Sequence, residues 1–398
     1  MTDIESVSRI EPARLESIPE SIADMIADIS AQGALLGRAL HPTTAANLAA
    51  LIRIMNSYYS NLIEGHDTRP KDIERALANE LDPDEQRRNL QLEAKAHVRV
   101  QAEIDLMAAE DRLPEPASID FIRWLHREFY RDAPEDMLRI RTAEVEFLME
   151  PGEWRSLPEH DNAVGRHIPP SSHRVQDFMA YFEDCYRVSG RGNAAQIMAM
   201  ATAHHRFNYI HPFPDGNGRV SRLMSQAMAH HAGIGAHGLW SISRGLARGL
   251  ESRGDYKRWM DAADAPRQGD MDGRGNLSLS ALTGFTEWFL QVTLDQITFM
   301  NGLFELNTLD RRLAAYVARH DSLKPEATLL LQEALIRGAF ERGEAPRITG
   351  QTERTARRVL NDVTEIGLLG SETPKGPVSL RFPVDALETL FPLLYSAS

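Results

Sequence analysis

The most informative segment of the chain is His211-Pro212-Phe213-Pro214-Asp215-Gly216-Asn217-Gly218-Arg219-Val220-Ser221-Arg222. It lies between two segments, residues 196–209 and 220–227, whose apolar side chains recur at helical spacing and predict two helices. The segment 211–218 is therefore predicted to be a tight loop that leads into the N-terminus of the second helix. Its two glycines permit positive φ and close backbone approach, so that consecutive N–H groups can point into one concavity.

The residue types of this loop indicate an anion site. Unpaired N–H groups and the helix dipole favour a negative group at a helix start. Arg219 and Arg222 share one face there. Cations at this end of a helix cost about 0.3–1 kcal/mol each, so a bound polyanion would explain them. Asp215 beside phosphate groups suggests Mg²⁺, and His211 can act as a general base near neutral pH. A structural glycine turn with solvated arginines is the alternative, and the combination of all these residue types argues against it.

These residues resemble the signature of the Fic family, HxFx(D/E)GNGRxxR, and every specified position of that signature is met. A looser resemblance extends from about residue 43 to about residue 299. The resemblance implies a protein adenylyltransferase, which transfers AMP from ATP to a Ser, Thr or Tyr hydroxyl and releases pyrophosphate. In this reading His211 deprotonates the hydroxyl of a target protein and Asp215 holds Mg²⁺. The residues implied to hold the nucleotide are Gly216, Asn217, Gly218, Arg219, Val220, Ser221 and Arg222.

A second, shorter pattern lies upstream. Apolar residues between positions 48 and 63 recur mainly at helical spacing, and Gly65 is a natural stop for that helix. Glu64 then lies in the last turn, where an acid faces the negative end of the helix dipole. The run Ser60-Asn61-Leu62-Ile63-Glu64-Gly65 resembles the inhibitory motif (S/T)xxxE(G/N) of Fic proteins. This resemblance implies that Glu64 pairs with Arg222 and obstructs productive placement of the ATP γ-phosphate. A solvated glutamate at a helix end is the alternative.

Three further parts of the chain are interpreted beside the loop. Residues 151–155 and 164–170 are predicted to form a β-hairpin around a polar turn. In Fic proteins the corresponding flap pairs with a target segment by strand addition, so the target protein is expected to dock on residues 152–170; an ordinary loop is the alternative. Tyr256 resembles an aromatic residue that contacts adenine in that family, and a core tyrosine is the alternative. The pairs His204-His205 and His230-His231 do not have metal-site spacing and are interpreted as surface or capping residues.

Composition limits the class of protein. A chain of 398 residues with 42% hydrophobic content can bury a large core in two or three domains. Its net charge of −13 argues against a global surface for nucleic acid or anionic membranes. The single cysteine, Cys185, excludes an intramolecular disulfide, favours a reducing compartment and is interpreted as a buried residue. The N-terminus does not resemble a signal peptide and no apolar run approaches a membrane span, so we expect a soluble cytoplasmic protein without membrane contact.

The chain changes character after residue 305. Residues 326–340 and 351–366 are predicted to be helices joined through a turn, and residues 368–382 a two-stranded wing. This is the winged-helix pattern, and it resembles a domain appended to Fic cores. Three arginines lie on the second of these helices: Arg354, Arg357 and Arg358. Residues 310–398 nevertheless contain as many acidic as basic residues, so DNA binding is not favoured, and protein docking or homodimerisation is expected.

The sequence thus predicts a mostly α fold: a Fic-type helical core with a small β-hairpin flap, plus a C-terminal winged helix-turn-helix domain. The predicted regions are an N-terminal helical region at 1–110 with the inhibitory helix at about 43–65, the catalytic core at 111–305 and the winged-helix domain at 306–398. The predicted function is AMP transfer to a target protein and to the enzyme itself, inhibited by Glu64. Two alternatives remain open. One is a Fic relative that removes AMP or transfers another phosphate-linked group, and the other is a nucleotide-sensing, DNA-binding transcription regulator.

Overall fold

The computed structural model describes residues 5–141, 145–161 and 167–395 and shows a molecule built mainly of helices. The N-terminal region contains α1 (Glu20–Leu35), α2 (Pro42–Ile63), α3 (Pro70–Leu77), α4 (Glu85–Ala109) and α5 (Ile119–Tyr130). The middle of the chain contains α6 (Glu135–Leu138), β1 (Arg139–Arg141), β2 (Glu146–Leu148), α7 (Val175–Tyr186), α8 (Asn193–Ile210), α9 (Asn217–His231), α10 (Ile242–Arg248), α11 (Asp255–Ala263) and α12 (Leu279–Phe304). The C-terminal region contains α13 (Leu306–Arg319), α14 (Ala327–Arg337), α15 (Ala345–Thr349), α16 (Glu353–Glu365), β3 (Leu369–Gly370), β4 (Ser379–Leu380) and α17 (Leu387–Leu390). The predicted fold class is confirmed.

The helices α8 and α9 form the centre of the molecule. They pack against each other, while α7 and α12 cover α8, and α4 and α5 cover α9. The sequence of α8 allows this, because a helix that is apolar on all sides is stable only when it is enclosed. Its large apolar side chains are buried, among them Ile197, Met200 and Phe207. The two helices predicted on either side of the loop are confirmed, and the loop between them rests on a packed support.

The helix α2 confirms the predicted helix upstream of Glu64 and its end at Gly65. Gly65 adopts φ +85°, and its N–H donates to the Leu62 carbonyl at 3.1 Å. The N–H of His66 donates to the Asn61 carbonyl at 2.9 Å. These two bonds form a Schellman motif, which ends a helix at a glycine. Because α2 packs against α4 and α10, its C-terminal end lies beside the start of α9.

The β-hairpin of the central region lies upstream of its predicted position. Its strands are β1 and β2, which pair antiparallel. Residues 151–161 instead form turns and a short 3₁₀ segment. The strand predicted at 151–155 is wrong, because Trp154 and Arg155 are both buried and do not alternate between a core face and a solvent face. Residues 162–166, which span the end of the predicted turn and the start of the second predicted strand, lie outside the described residues.

The C-terminal elements follow the predicted order with one addition. The helix α14 ends at Arg337, and a short helix, α15, stands where only a turn was predicted before α16. Gly350 ends α15 in the left-handed conformation. The strands β3 and β4 pair antiparallel, and Phe340 forms one further bridge with Val378. This is the order of elements that a winged helix requires, and the assignment to that class stays a prediction.

Two smaller predictions concern burial and membranes. Cys185 lies buried in α7, as predicted. Across residues 5–141, 145–161 and 167–395, no helix combines the length and the apolar character needed to cross a membrane.

Candidate active site

The loop from His211 to Gly216 is held firmly between α8 and α9. His211 ends α8 with φ +51°, and its N–H donates to the Phe207 carbonyl at 2.9 Å. The Asn217 side chain makes two bonds with the backbone of Phe213. Its Oδ1 accepts from the N–H at 2.9 Å, and its Nδ2 donates to the carbonyl at 2.8 Å. The Asn217 side chain therefore braces the loop and is not directed at a ligand.

Phe213 anchors the loop in the core. Its ring is buried and stacks on His126, with 3.9 Å between the ring centroids. Burial lowers the pKa of His126 to about 3, so the ring is neutral at pH 7. Its Nδ1 accepts from the Gly152 N–H at 2.8 Å, so its Nε2 carries the proton and faces the Asp215 carbonyl at 3.3 Å. The sequence analysis missed His126, because no motif surrounds it.

Arg155 is a second support that the sequence analysis missed. Its guanidinium is buried and contacts four groups: the carbonyls of His211 (2.7 Å), Pro170 (2.7 Å) and Ile210 (3.3 Å), and the carboxylate of Asp161 (2.6 Å). Burial lowers the pKa of Arg155, and Asp161 offsets part of that decrease. Arg155 thus ties its own segment to the end of α8 and fixes the backbone of His211. A basic residue beside a tryptophan is not a specific signal, so the sequence alone could not identify it.

The two glycines at the start of α9 let other groups approach closely. Gly216 has φ +77°, and a Cβ on it would lie 2.9 Å from the Tyr130 ring. A Cβ on Gly218 would collide with Oε1 of Glu64 and lie 3.0 Å from Nη1 of Arg222. Within the part of the chain that the structure describes, no side chain caps this helix start. The Glu64 carboxylate therefore lies where the helix favours an anion.

Arg222 is buried and bound by the end of α2. Its Nε donates to Ser60 Oγ at 2.9 Å, and its Nη2 lies 3.3 Å from the Ser60 carbonyl. The same Nη2 forms an ion pair with Oε1 of Glu64 at 2.6 Å. Partial burial raises the pKa of Glu64, but Arg222 and Arg219 lower it more, so the carboxylate is ionised at neutral pH. The structure thus brings together the three residues that the inhibitory pattern named.

Arg219 also has a carboxylate partner. Its side chain is buried, its Nη2 pairs with Oε2 of Glu93 at 2.9 Å, and its Nη1 donates to the Tyr130 hydroxyl at 3.3 Å. Burial lowers the pKa of Arg219, but Tyr130 and Glu93 raise it more. The interpretation that a bound polyanion would explain both arginines is therefore incomplete, because Glu93 and Glu64 each neutralise one of them. Glu93 lies on α4, and nothing in the loop sequence points to it.

Asp215 lies at the mouth of the site, with 51% of its side chain exposed. Its Oδ2 accepts from the Tyr130 hydroxyl at 3.1 Å and lies 3.9 Å from Nη1 of Arg219. Partial burial raises the pKa of Asp215, but Arg219 and the Gly216 N–H lower it more. One carboxylate beside phosphate oxygens is a ligand set that suits Mg²⁺. The described residues contain no group of three or more His, Cys, Asp and Glu that could hold a metal, so Mg²⁺ would depend on Asp215, phosphate and water.

The His211 ring lies at the edge of the same site. Burial lowers its pKa to about 4, and Arg155 and His167 add to the decrease. Asp215 and the Asn208 backbone offset part of that decrease. A neutral imidazole has one donor and one acceptor nitrogen, so one ring nitrogen can accept a proton. His211 is thus in its basic form at neutral pH.

Three further residues were predicted to contact the nucleotide: Tyr256, Val220 and Ser221. Tyr256 is half-buried on α11, where burial raises its pKa to about 12 while Arg222 lowers it, so the two side chains are neighbours. The Val220 side chain is buried in the core. Ser221 Oγ donates to the Gly218 carbonyl at 2.8 Å. The side chains of Val220 and Ser221 therefore serve the helix, and the Val220 N–H donates to the Gly216 carbonyl at 3.0 Å.

The interpretation of the histidine pairs as surface or capping residues is wrong for the first pair. His204 and His205 have no exposed surface, because α8 is enclosed by other helices. His204 Nε2 lies 2.8 Å from the Tyr256 hydroxyl. His231, from the second pair, is half-buried and its Nε2 lies 3.0 Å from the Pro114 carbonyl.

Comparison with known proteins identifies part of the chain. Residues 116–229, which include the whole of the stretch 211–222, match the model of the Fic/DOC family. The chain is similar to a solved Fic family protein from Desulfovibrio desulfuricans, with 18% identity and a TM-score of 0.52 over 93% of this chain and 98% of that one. It is also similar to a Fic domain containing signaling protein from Bacteroides thetaiotaomicron, with 19% identity and a TM-score of 0.52 over 71% of this chain and 96% of that one. The comparison with curated proteins found no match.

At these identities the solved structures show a shared fold, and the family match rests on the segment that carries the loop. Fic domain proteins are known for transferring nucleotide or other phosphate-linked groups to proteins. Residues 116–229, in which His211, Asp215 and the arginines lie, therefore match the Fic/DOC family model, within a chain whose fold is similar to that of solved Fic proteins.

Proposed function

We propose that this protein is a Mg²⁺-dependent adenylyltransferase that transfers AMP from ATP to a Ser, Thr or Tyr hydroxyl of a target protein and of itself, and that Glu64 inhibits it. The observation that carries the proposal is the convergence of four groups on the start of α9. They are the neutral ring of His211, the ionised Asp215, the buried Arg222 and the Glu64 carboxylate.

A polyphosphate is the ligand class that this arrangement favours. The N–H groups of the helix start and the guanidinium of Arg222 produce a positive field in one place. In this structure the Glu64 carboxylate occupies that positive region and neutralises it. ATP phosphates would take its place, and Asp215 would hold Mg²⁺, which neutralises part of the phosphate charge.

The reaction needs one proton acceptor and no covalent enzyme intermediate. The oxygen of the target hydroxyl attacks the α-phosphorus of ATP, the bond from that phosphorus to the bridging β-phosphate oxygen breaks, and pyrophosphate leaves. The unprotonated ring nitrogen of His211 accepts the hydroxyl proton as the new bond forms. Positioning and charge neutralisation supply most of the catalysis in phosphoryl transfer, which suits a site built from a braced loop and a helix start.

In this proposal Glu64 inhibits the enzyme because its carboxylate and the ATP γ-phosphate compete for Arg222. While Glu64 is bound to Arg222 at 2.6 Å, a bound ATP has no access to that arginine as a ligand for its γ-phosphate. Its α-phosphate would then be misaligned for in-line attack. Two negative groups at the same helix start also repel each other. Release of Glu64 would leave α2 in place and return Arg222 to the polyanion.

The proposal is tested by mass spectrometry of the purified protein after incubation with ATP and Mg²⁺. We expect a mass increase of one AMP on the protein, larger in Glu64→Gly. His211→Ala should still bind ATP in calorimetry and transfer none, because the base acts on the hydroxyl and the phosphate site lies downstream of it. In Asp215→Ala the dependence of the rate on Mg²⁺ should weaken. Equal transfer by His211→Ala and the wild type would remove His211 from its role.

The ionised state of Glu64 favours one second candidate function, removal of AMP from a modified protein. A carboxylate beside a phosphate can orient a water molecule for attack on the phosphorus. Protein that has been modified by Glu64→Gly serves as the substrate for this test. Release of AMP by the wild type, and no release by Glu64→Gly, would support the second function; the main proposal predicts that the AMP stays bound to the protein.

A further inference from the structure

A chain of hydrogen bonds runs from the core to Tyr256 at the edge of the phosphate site. The hydroxyl of Ser225 donates to the Ser221 carbonyl at 2.8 Å. His204 lies with its Nδ1 3.0 Å from Ser225 Oγ and its Nε2 2.8 Å from the Tyr256 hydroxyl. The chain therefore links α9, α8 and α11.

The direction of the protons in this chain follows from the number of donors. Ser225 has one hydroxyl proton and gives it to a carbonyl, so it can only accept from His204. The Nδ1 of His204 must therefore carry a proton. His204 is completely buried, and burial lowers its pKa to about 3, so the ring is neutral and its Nε2 is a bare acceptor. Tyr256 consequently donates its hydroxyl proton to Nε2 of His204.

The Tyr256 oxygen is then left as an acceptor on its other side. A group that bonds to it there must be a donor, and phosphate oxygens, which only accept, do not qualify. The guanidinium of Arg222 qualifies and is its neighbour, since it acts on the pKa of Tyr256. In the resting protein Arg222 donates to Ser60 and to Glu64. Both belong to the end of α2, whereas Tyr256 belongs to α11.

We propose that His204 is a positioning residue, which fixes Tyr256 as a hydrogen-bond acceptor for Arg222 and so keeps Arg222 at the phosphate site after Glu64 is released. The inference rests on the proposed function for the identity of the ligand, ATP. While Glu64 is bound, the end of α2 holds Arg222 and the contribution of Tyr256 is small. Once the carboxylate leaves, Ser60 remains a partner of Arg222, and Tyr256 on α11 supplies a second acceptor that replaces the lost carboxylate.

The test uses the full chain with Glu64→Gly, in which Arg222 has lost its carboxylate partner. Three further variants are made in it: Tyr256→Phe, His204→Leu and His204→Gln. The dissociation constant of a fluorescent ATP analogue is measured by titration, and kcat and KM for ATP are measured by AMP transfer. His231→Leu is the matched control, because it makes the same substitution at the far end of α9.

We expect Tyr256→Phe and His204→Leu each to raise the dissociation constant of the nucleotide about tenfold, with the kinetic effect mainly on KM. The variant that combines Tyr256→Phe with His204→Leu should have the same dissociation constant as either one alone. His204→Gln should restore most of the affinity, because its amide oxygen can accept the Tyr256 proton. His231→Leu should bind as its parent does. Additive losses in the double variant, or unchanged binding in Tyr256→Phe, would overturn the proposal, since the two residues would then act separately.

The measurements distinguish a folding defect, a failure of the proposed function and a failure of the positioning role of His204. If the melting temperature of His204→Leu differs from that of its parent, the test of the proposal rests on Tyr256→Phe alone. This variant removes a single half-buried hydroxyl. If Glu64→Gly transfers no AMP while the variants still weaken nucleotide binding together, the proposed function fails and the positioning role stands. If none of the variants binds the nucleotide, both are overturned.

Discussion

Arg222 is buried and its Nη2 is paired with the Glu64 carboxylate at 2.6 Å, so in the proposed function Glu64 competes with the ATP phosphate for one residue. Replacing Glu64 with glycine removes the competing charge without moving α2. We expect AMP transfer to rise tenfold or more, because a pair worth about 1.4 kcal/mol already corresponds to a factor of ten. The rate of self-modification, followed by mass spectrometry, measures the effect.

Two variants control for the nature of this release. Glu64→Gly combined with His211→Ala should transfer no AMP, since release of the arginine cannot replace the base. Arg222→Ala should not raise transfer, because it removes the phosphate ligand together with the inhibitory pair. Unchanged or lower transfer by a folded Glu64→Gly protein would contradict self-inhibition and favour Glu64 as a catalytic residue for AMP removal.

The protonation of His211 gives a second prediction at the residue scale. Burial lowers its pKa to about 4, and the neutral form is the one that accepts a proton. Activity should therefore persist as the pH falls through 6.5 and be lost only as it falls towards 4. The ring C–H resonances of His211, followed by NMR against pH in the nucleotide-free protein, should show this low midpoint, and kcat/KM should follow it.

His66 is the matched control in the same titration. Its pKa is raised, first by the hydrogen bond to Glu93, so its midpoint should lie above 6.5. A midpoint near 6.5 for His211 would mean that the ring is solvated in solution, and the assignment of a desolvated base would be wrong.

Between elements, the buried side chain of Arg155 joins its own segment to the end of α8. Arg155→Lys keeps the charge but loses the planar fork that reaches several carbonyls at once. We expect the free energy of unfolding in urea to fall by about 2–4 kcal/mol, because buried acceptors are left without donors. AMP transfer should fall as well, since the His211 backbone loses a partner.

An exposed arginine provides the comparison for this prediction. Arg112 forms a surface ion pair with Glu110, and both side chains are about half exposed. Arg112→Lys should change the free energy of unfolding by less than about 0.5 kcal/mol. Equal effects of the two substitutions would show that the contacts of Arg155 do not support the loop.

At the scale of the whole molecule, the C-terminal segment packs on α2 next to the residue that binds Arg222. The Tyr59 hydroxyl donates to the Leu394 carbonyl at 3.0 Å. The rings of Tyr58 and Tyr395 lie 5.7 Å apart in an edge-to-face arrangement. Because Ser60 follows directly in the chain, the C-terminal segment supports the same helix turn that carries the inhibitory contacts.

Tyr59→Phe should therefore loosen the end of α2. We expect faster amide hydrogen exchange in residues 57–64 and a several-fold rise in self-modification, because loss of one buried hydrogen bond is worth about 1 kcal/mol. Joint replacement of Arg354, Arg357 and Arg358 by glutamine is the control in the same region. These arginines are exposed on α16, and their loss should change partner choice or assembly but not self-modification. Steeply salt-dependent DNA binding that disappears in the triple variant would show that this face binds nucleic acid.

Features that depend on neighbouring residues could be predicted from the amino-acid sequence. The loop at 211–218 and the helix end at Gly65 could be predicted, because positive φ, helix starts and helix stops depend on residues within a few positions of one another. The pairing of Glu64 with Arg222 could be expected from a family resemblance, although the two residues lie far apart in the chain. The hairpin was misplaced, because the turn at 151–155 packs its side chains inward and only packing reveals that.

The groups that meet at the site from distant parts of the chain could not be predicted without the packing of the helices. Glu93 beside Arg219, the fork of Arg155 under His211 and the link from His204 to Tyr256 all join different segments. No local pattern encodes such partners, since they depend on how helices pack around α8 and α9. The low pKa of His211 has the same origin, because desolvation is the sum of every neighbour that excludes water from the ring.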